Sequence, residues 1–224
     1  MDFPQNSSRS EQLIISFLSI RKAIGILGIA LPIVLLLGSF ILSDCQEVQG
    51  SISAYYYTVM RNVFVGILCA VSFYLFSYNG YDKTDRILSC FCGLASLGVA
   101  FLPTSVDPPL SSCVTKIVEG SIISTIHFLS ALAFFSISAY VSIFQFTKGS
   151  SSPTNQKLKR NTVYRACGIV MVLCIVTIGL YTAILKEQFP SLIDLNPIFW
   201  LETFALWGFG ISWLVKGEFL LEDN

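Results

Sequence analysis

Charge is scarce in this chain, and histidine is almost missing. Only 12% of its 224 residues are charged, against 54% hydrophobic residues and a mean hydropathy of +0.69. That balance is too apolar for an ordinary soluble domain and far too apolar for a disordered chain. The formal net charge is zero, so global charge argues for neither a nucleic-acid partner nor an acidic substrate. Nucleophile and metalloprotease motifs are missing as well: neither Gly-x-Ser-x-Gly nor His-Glu-x-x-His occurs.

What the chain has in quantity is long apolar sequence without charge. A helix needs about 20 mainly apolar residues to cross a hydrocarbon core roughly 30 Å thick. Six segments approach that length, near 23–43, 62–79, 87–103, 121–147, 166–185 and 197–215. They predict an all-α fold, a polytopic six-transmembrane-helix bundle occupying residues 1–224 as a single membrane domain. No room is left for a separate soluble domain.

The connections are alternately rich and poor in Lys and Arg. Eleven basic residues fall on one side: Arg9, Arg21 and Lys22, then Lys83 and Arg86, then Lys148, Lys157, Lys159, Arg160 and Arg165, and finally Lys216. The other side has three, Arg61, Lys116 and Lys186. Basic loops stay cytoplasmic, so both termini are predicted to be cytoplasmic and the expected location is the plasma (inner) membrane. Gly149 to Thr154, flanked by five of these cations, reads as a flexible linker resting near anionic headgroups.

The start of the chain does not read as a cleaved signal. Its apolar run Leu13–Ile20 is short and is followed by Arg21 and Lys22 rather than by a small-residue cleavage site. A short interfacial helix leading into the first span is expected. The Asn6-Ser7-Ser8 acceptor would be unused on the cytoplasmic side, and neither end carries a lipidation motif. Within the first span, Pro32 lies among Gly25, Gly28 and Gly38. The group reads as a packing feature, with a kinked hinge as the alternative.

The seven cysteines sort by topology. Cys69, Cys90, Cys92, Cys167 and Cys174 fall within spans, where a thiol behaves as a small apolar group. Cys90 and Cys92 are two apart on a helix and do not share a face, so they make no metal clip. Cys45 and Cys113 alone lie in loops, both outer, where an oxidising exterior would permit a disulfide between them.

The outer side also gathers the remaining polar chemistry. The first outer loop carries Glu47 and then Tyr55, Tyr56 and Tyr57 before Arg61; the second carries Asp107. Three tyrosines before a span read as an aromatic belt, with ligand contact as the alternative, and the loops are long enough to fold over the bundle as a lid. His127 lies six residues into the fourth span, roughly 9 Å deep, and Glu202 five residues after Pro197 on the sixth. Their depths match. Ser124, Ser130, Ala131 and Phe134 share the His127 face, which points that face into the bundle. A buried Glu202 must be protonated or partnered, and His127 and Arg61 are its candidate partners. The candidate cluster is therefore His127, Glu202, Arg61, Ser124, Ser130, Tyr56 and Asp107, read as a polar clamp, a ligand or headgroup pocket, or a catalytic or proton-coupling site.

Two runs carry a resemblance. Gly93-Leu94-Ala95-Ser96-Leu97-Gly98-Val99-Ala100-Phe101-Leu102-Pro103-Thr104, followed by Asp107 and His127-Phe128-Leu129-Ser130-Ala131, is one. Glu202-Thr203-Phe204-Ala205-Leu206-Trp207, with Ser212-Trp213-Leu214, is the other. Over about half the chain it resembles bacterial multi-span membrane families of unknown function, which implies a helical membrane bundle and little about activity. A remoter similarity is to the superfamily of alkaline ceramidases and progestin and adipoQ receptors, whose seven spans hold zinc with Ser, Asp and three His. One histidine leaves such a site two ligands short, so no metal and no cofactor is expected. The expected function is an integral membrane protein with an outer-facing polar pocket for a lipid or small apolar ligand, with membrane lipids as partners and no nucleic acid. A membrane-embedded lipid hydrolase and a small proton-coupled transporter are the alternatives.

Overall fold

The computed structural model describes residues 4–43, 46–80, 82–105, 112–114, 121–149 and 152–221, with side chains from Phe17 onward. Among the described residues the chain is helical and has no strand. The long helices are α1 (Pro4–Leu42), α2 (Arg61–Ser77), α3 (Lys83–Phe101), α4 (Ser121–Tyr140) and α5 (Asn155–Leu180). A single turn, α6 (Lys186–Gln188), precedes the last long helix, α7 (Pro197–Lys216). Five of the long helices are long and apolar enough to cross a membrane; α2, with 17 residues, is shorter.

The boundaries follow from local chemistry. Asp82 starts α3 by accepting the Asp85 amide at 2.8 Å, and Thr154 starts α5 by accepting the Lys157 amide at 3.1 Å. Pro197 opens α7 at the first-turn position where its missing N–H costs nothing. The expected separate interfacial helix is not found: α1 runs unbroken from Pro4. No Gly or Pro interrupts residues 13–24, and Arg21 and Lys22 are good helix formers, so nothing ends the helix there. The helix also continues through Pro32.

Neighbour contacts close the helices into a ring, α1 to α2, α3, α4 and α5, with α7 completing it between α5 and α1. Of the α7 apolar stretch 61% is buried, against 22–39% for the other four candidates, which makes α7 the hub of the packing. Its approach to α1 depends on missing side chains. A Cβ on Gly25 would sit 2.7 Å from Leu214 Cγ, and one on Gly210 would sit 2.7 Å from the Gly25 carbonyl. Small residues of this kind let helix backbones approach closely. Large apolar side chains such as Leu37, Phe73, Phe91, Leu129 and Leu173 stand exposed around the outside.

Both α4 and α5 end in a π-helical turn, Val141–Gln145 and Tyr181–Leu185. The first turn is seated against α5, where the Ser142 hydroxyl donates to the Tyr164 carbonyl at 2.8 Å. Beyond it, Lys148 pairs with Asp82 at 2.7 Å. The Lys148 hydrogen bond holds the Asp82 carboxyl below its usual range, and Asp82 in turn raises the Lys148 ammonium.

The short helix α2 reaches as far as its neighbours. Met60, just before it, packs where a Cβ on Gly38 of α1 would fall, while Tyr78, just after it, lies under the Arg21 guanidinium at 5.6 Å. It is therefore coextensive with residues 21–38 of α1.

Candidate functional site

The polar residues at the Pro197 end of the bundle fasten backbone. Glu202, in the second turn of α7, accepts the Ile52 amide at 2.6 Å on Oε2, and the Ser53 amide faces the same carboxylate. Three residues earlier on the helix the Phe199 amide donates to the Gly50 carbonyl at 3.1 Å. Together these bonds lay residues 50–53 across the start of α7. A carboxyl oxygen that accepts a main-chain amide satisfies both groups where water is excluded.

Residues Ser53–Tyr57 then form a 3-10 helix sunk into the bundle. Tyr55 is wholly buried and lies against Phe199, with ring centroids 6.2 Å apart. Burial pushes its phenol up to about 12. Tyr57 is 3% exposed and donates to the Thr104 carbonyl at 2.5 Å. The expected aromatic belt is thus a buried plug. A belt needs rings at a water boundary, and the anchoring of Gly50 and Ile52 by α7 draws these rings inward.

On α4, His127 is 2% exposed and its Nδ1 meets the Leu102 carbonyl at 2.7 Å, with Nδ1–H as donor. One turn earlier the Ser124 hydroxyl accepts the Ser105 amide at 2.9 Å. These two side chains fasten the segment leaving α3. Ser130 bonds the Ile126 carbonyl of its own helix at 2.7 Å and packs against Gly98.

The structure brings Arg61 to Tyr56, with Nη2 donating to the phenol oxygen at 2.6 Å and the guanidinium 4.4 Å from the ring centre. It does not bring Arg61 or His127 to Glu202: among the described residues no hydrogen bond or ion pair joins any two of the three. Equal depth sets a level but not a direction around the bundle. Asp107 and Cys45 lie outside the described residues. Cys113 is disulfide-bonded, while Cys69, Cys90, Cys92, Cys167 and Cys174 are free thiols.

Two voids accompany this framework. A void of about 40 Å³ lies inside the bundle beside Glu202, Leu31, Phe64, Ser96 and Phe134, with room for a water or two and no more. The other, about 800 Å³, opens above the anchored loop and is walled by Glu47, Gln49, Phe128, Tyr181, Lys186 and Asp194 among others. Its size suits a small-molecule ligand. Glu47 is itself positioned, accepting from the Ser112 amide and hydroxyl, both at 3.3 Å.

Sequence reasoning named the framework and missed most of the cavity wall. Gln49 and Asp194 belong to connections with no periodic pattern and Tyr181 to the end of the fifth predicted span, and the available signal was the gathering of Glu47, Lys186 and Asp194 into segments assigned to one side. Among the described residues, no group of three metal-ligating side chains lies together. No family model, curated protein or solved structure matches the chain.

Proposed function

We propose that this chain is a six-span membrane protein whose outer end carries a binding cavity for a lipid or a small amphipathic ligand. Five helices of spanning length, a sixth coextensive with α1, and a perimeter of exposed Leu and Phe support the membrane reading. The excess of Lys and Arg at the opposite end supports cytoplasmic termini.

The observation that carries the binding role is the cavity of about 800 Å³, which combines apolar wall from Phe128 and Ile198 with Glu47, Lys186 and Asp194. Such a mixture suits a molecule with one apolar and one polar end. His127, Ser124 and Glu202 serve it from below by fixing the loop and the α3 exit that form its floor. The hydrolase and transporter readings find less support. The Nδ1 of His127 is committed to a backbone carbonyl and Glu202 to backbone amides.

Native mass spectrometry of the purified protein tests the proposal. A lipid or small molecule should be retained in defined stoichiometry and weakened by Phe128→Ala and Asp194→Asn. Retention of nothing, or of a species indifferent to both substitutions, would sink it.

A further inference from the structure

The helices α4 and α5, which flank the outer cavity, pack closely at one end and part at the other. On α5, Gly168 lies against α4: an added Cβ would run into the Ile143 side chain and sit 3.0 Å from the Ala139 carbonyl. About three turns further along α5, on the same face by helical spacing, stands Gly179. A Cβ there would meet nothing within 4 Å among the described residues.

The facing side of α4 agrees. Contacts advance along α4 from Ala139 to Phe146 as they retreat along α5 from Gly168 to Tyr164 and Lys157, so the two helices are antiparallel. Phe128, about three turns before Ala139 and on its face, therefore comes to the level of Gly179. Phe128 is 52% exposed, and Leu132, on the same face between Phe128 and Ala139, is 48% exposed. A closed helix pair would bury both. At 1.5 Å per residue the helices diverge over roughly 16 Å, leaving a cleft closed at Gly168 and open at Gly179.

The cavity of about 800 Å³ occupies the wide end of this cleft, with Phe128 from α4, Tyr181 and Thr182 from the turn that ends α5, and Ile198 from α7 in its wall. Asp194 and Asn196, from the connection that precedes α7, add polar groups to it. The narrow part of the cleft lies between the faces that carry Leu132 and Ile175 and is apolar. One continuous space thus runs from a polar end to an apolar end. Water is poorly accommodated in an apolar cleft. The neighbouring faces carry Leu129 and Val176, both exposed, so the open side of the cleft joins the apolar perimeter that the proposed membrane would surround.

Resting on the reading of the outer cavity as a ligand site, we infer that its ligand is an acyl-chain lipid that enters sideways from the outer leaflet, between α4 and α5. The chain lies between Leu132 and Ile175, and the polar end sits among Thr182, Asp194 and Asn196. A wholly water-soluble ligand would leave the cleft unfilled.

The test uses the full-length protein in cells supplied with a photoreactive fatty acid, which enters the acyl lipids they make. After irradiation, adducts are mapped by peptide mass spectrometry. They should concentrate around Leu132 and Ile175, above the labelling of Phe73 and Phe91, which are exposed elsewhere on the perimeter. Gly179→Trp fills the cleft and leaves every wall residue of the cavity in place; it should lower the cleft adducts by at least about ten-fold and leave the other adducts unchanged. Even labelling around the perimeter, cleft adducts indifferent to Gly179→Trp, or a cleft left unlabelled, as a second copy of the chain seated there would leave it, overturns the inference. The wild-type distribution is decisive by itself if Gly179→Trp does not fold. If Phe128→Ala and Asp194→Asn still weaken a retained ligand while the cleft is not enriched in adducts, the outer cavity stands and the lateral lipid alone falls. Loss of both retention and cleft labelling removes both.

Discussion

At the scale of single residues, the two ionisable groups buried in apolar sequence act on backbone atoms. Glu202 is an acceptor for the Ile52 amide, so Glu202→Leu leaves a buried donor unsatisfied and should cost about 1–3 kcal/mol in thermal or denaturant unfolding. Glu202→Gln keeps an acceptor in place and should cost less. His127→Phe likewise strands the Leu102 carbonyl. Because the two side chains share no partner, the double variant His127→Phe with Glu202→Leu should show a coupling within about 0.5 kcal/mol of zero. A larger coupling would restore the direct contact that their equal depth suggests. The inward orientation of His127 was legible, since Ser124 and Phe134 at helical spacing are buried beside it. Its partner was not, because a backbone carbonyl leaves no mark in the sequence.

At the scale of elements, the apolar runs and their capping residues were readable and the paths of the loops were not. Asp82, Thr154 and Pro197 mark helix starts by chemistry that any reader of the chain can see. The burial of Tyr55, Tyr56 and Tyr57 depends instead on an anchor 150 positions away. Helix pairing depends on glycines whose roles differ with surroundings. Gly210→Ala should push α7 from α1, because the new methyl meets the Gly25 carbonyl and Ile29, and should lower stability by about 1–3 kcal/mol. Gly66→Ala, on α2 with nothing within 4 Å of the added carbon, should leave stability unchanged or slightly raised. Comparing the two melting midpoints in one detergent checks this. Equal changes at the two positions would mean that close approach to α1 does not govern Gly210.

At the scale of the whole molecule, the six-span proposal turns on α2. Its 17 residues extend about 25 Å, short of a hydrocarbon core of roughly 30 Å. Yet its ends are tied to opposite ends of the bundle, Met60 near Gly38 and Tyr78 beneath Arg21. The buried Tyr plug ahead of it and Tyr78 behind it extend the apolar path beyond the helix itself. A bilayer accommodates a short span by thinning locally, at a modest cost per ångström, whereas a helix lying along the surface could not keep both contacts with α1. The expectation is therefore that Val59→Cys, exposed before α2, reacts with a membrane-impermeant maleimide in intact cells. Asn79→Cys, exposed after it, should react only once the membrane is permeabilised. Labelling of both from one side would remove α2 from the count and place the termini on opposite sides of the membrane.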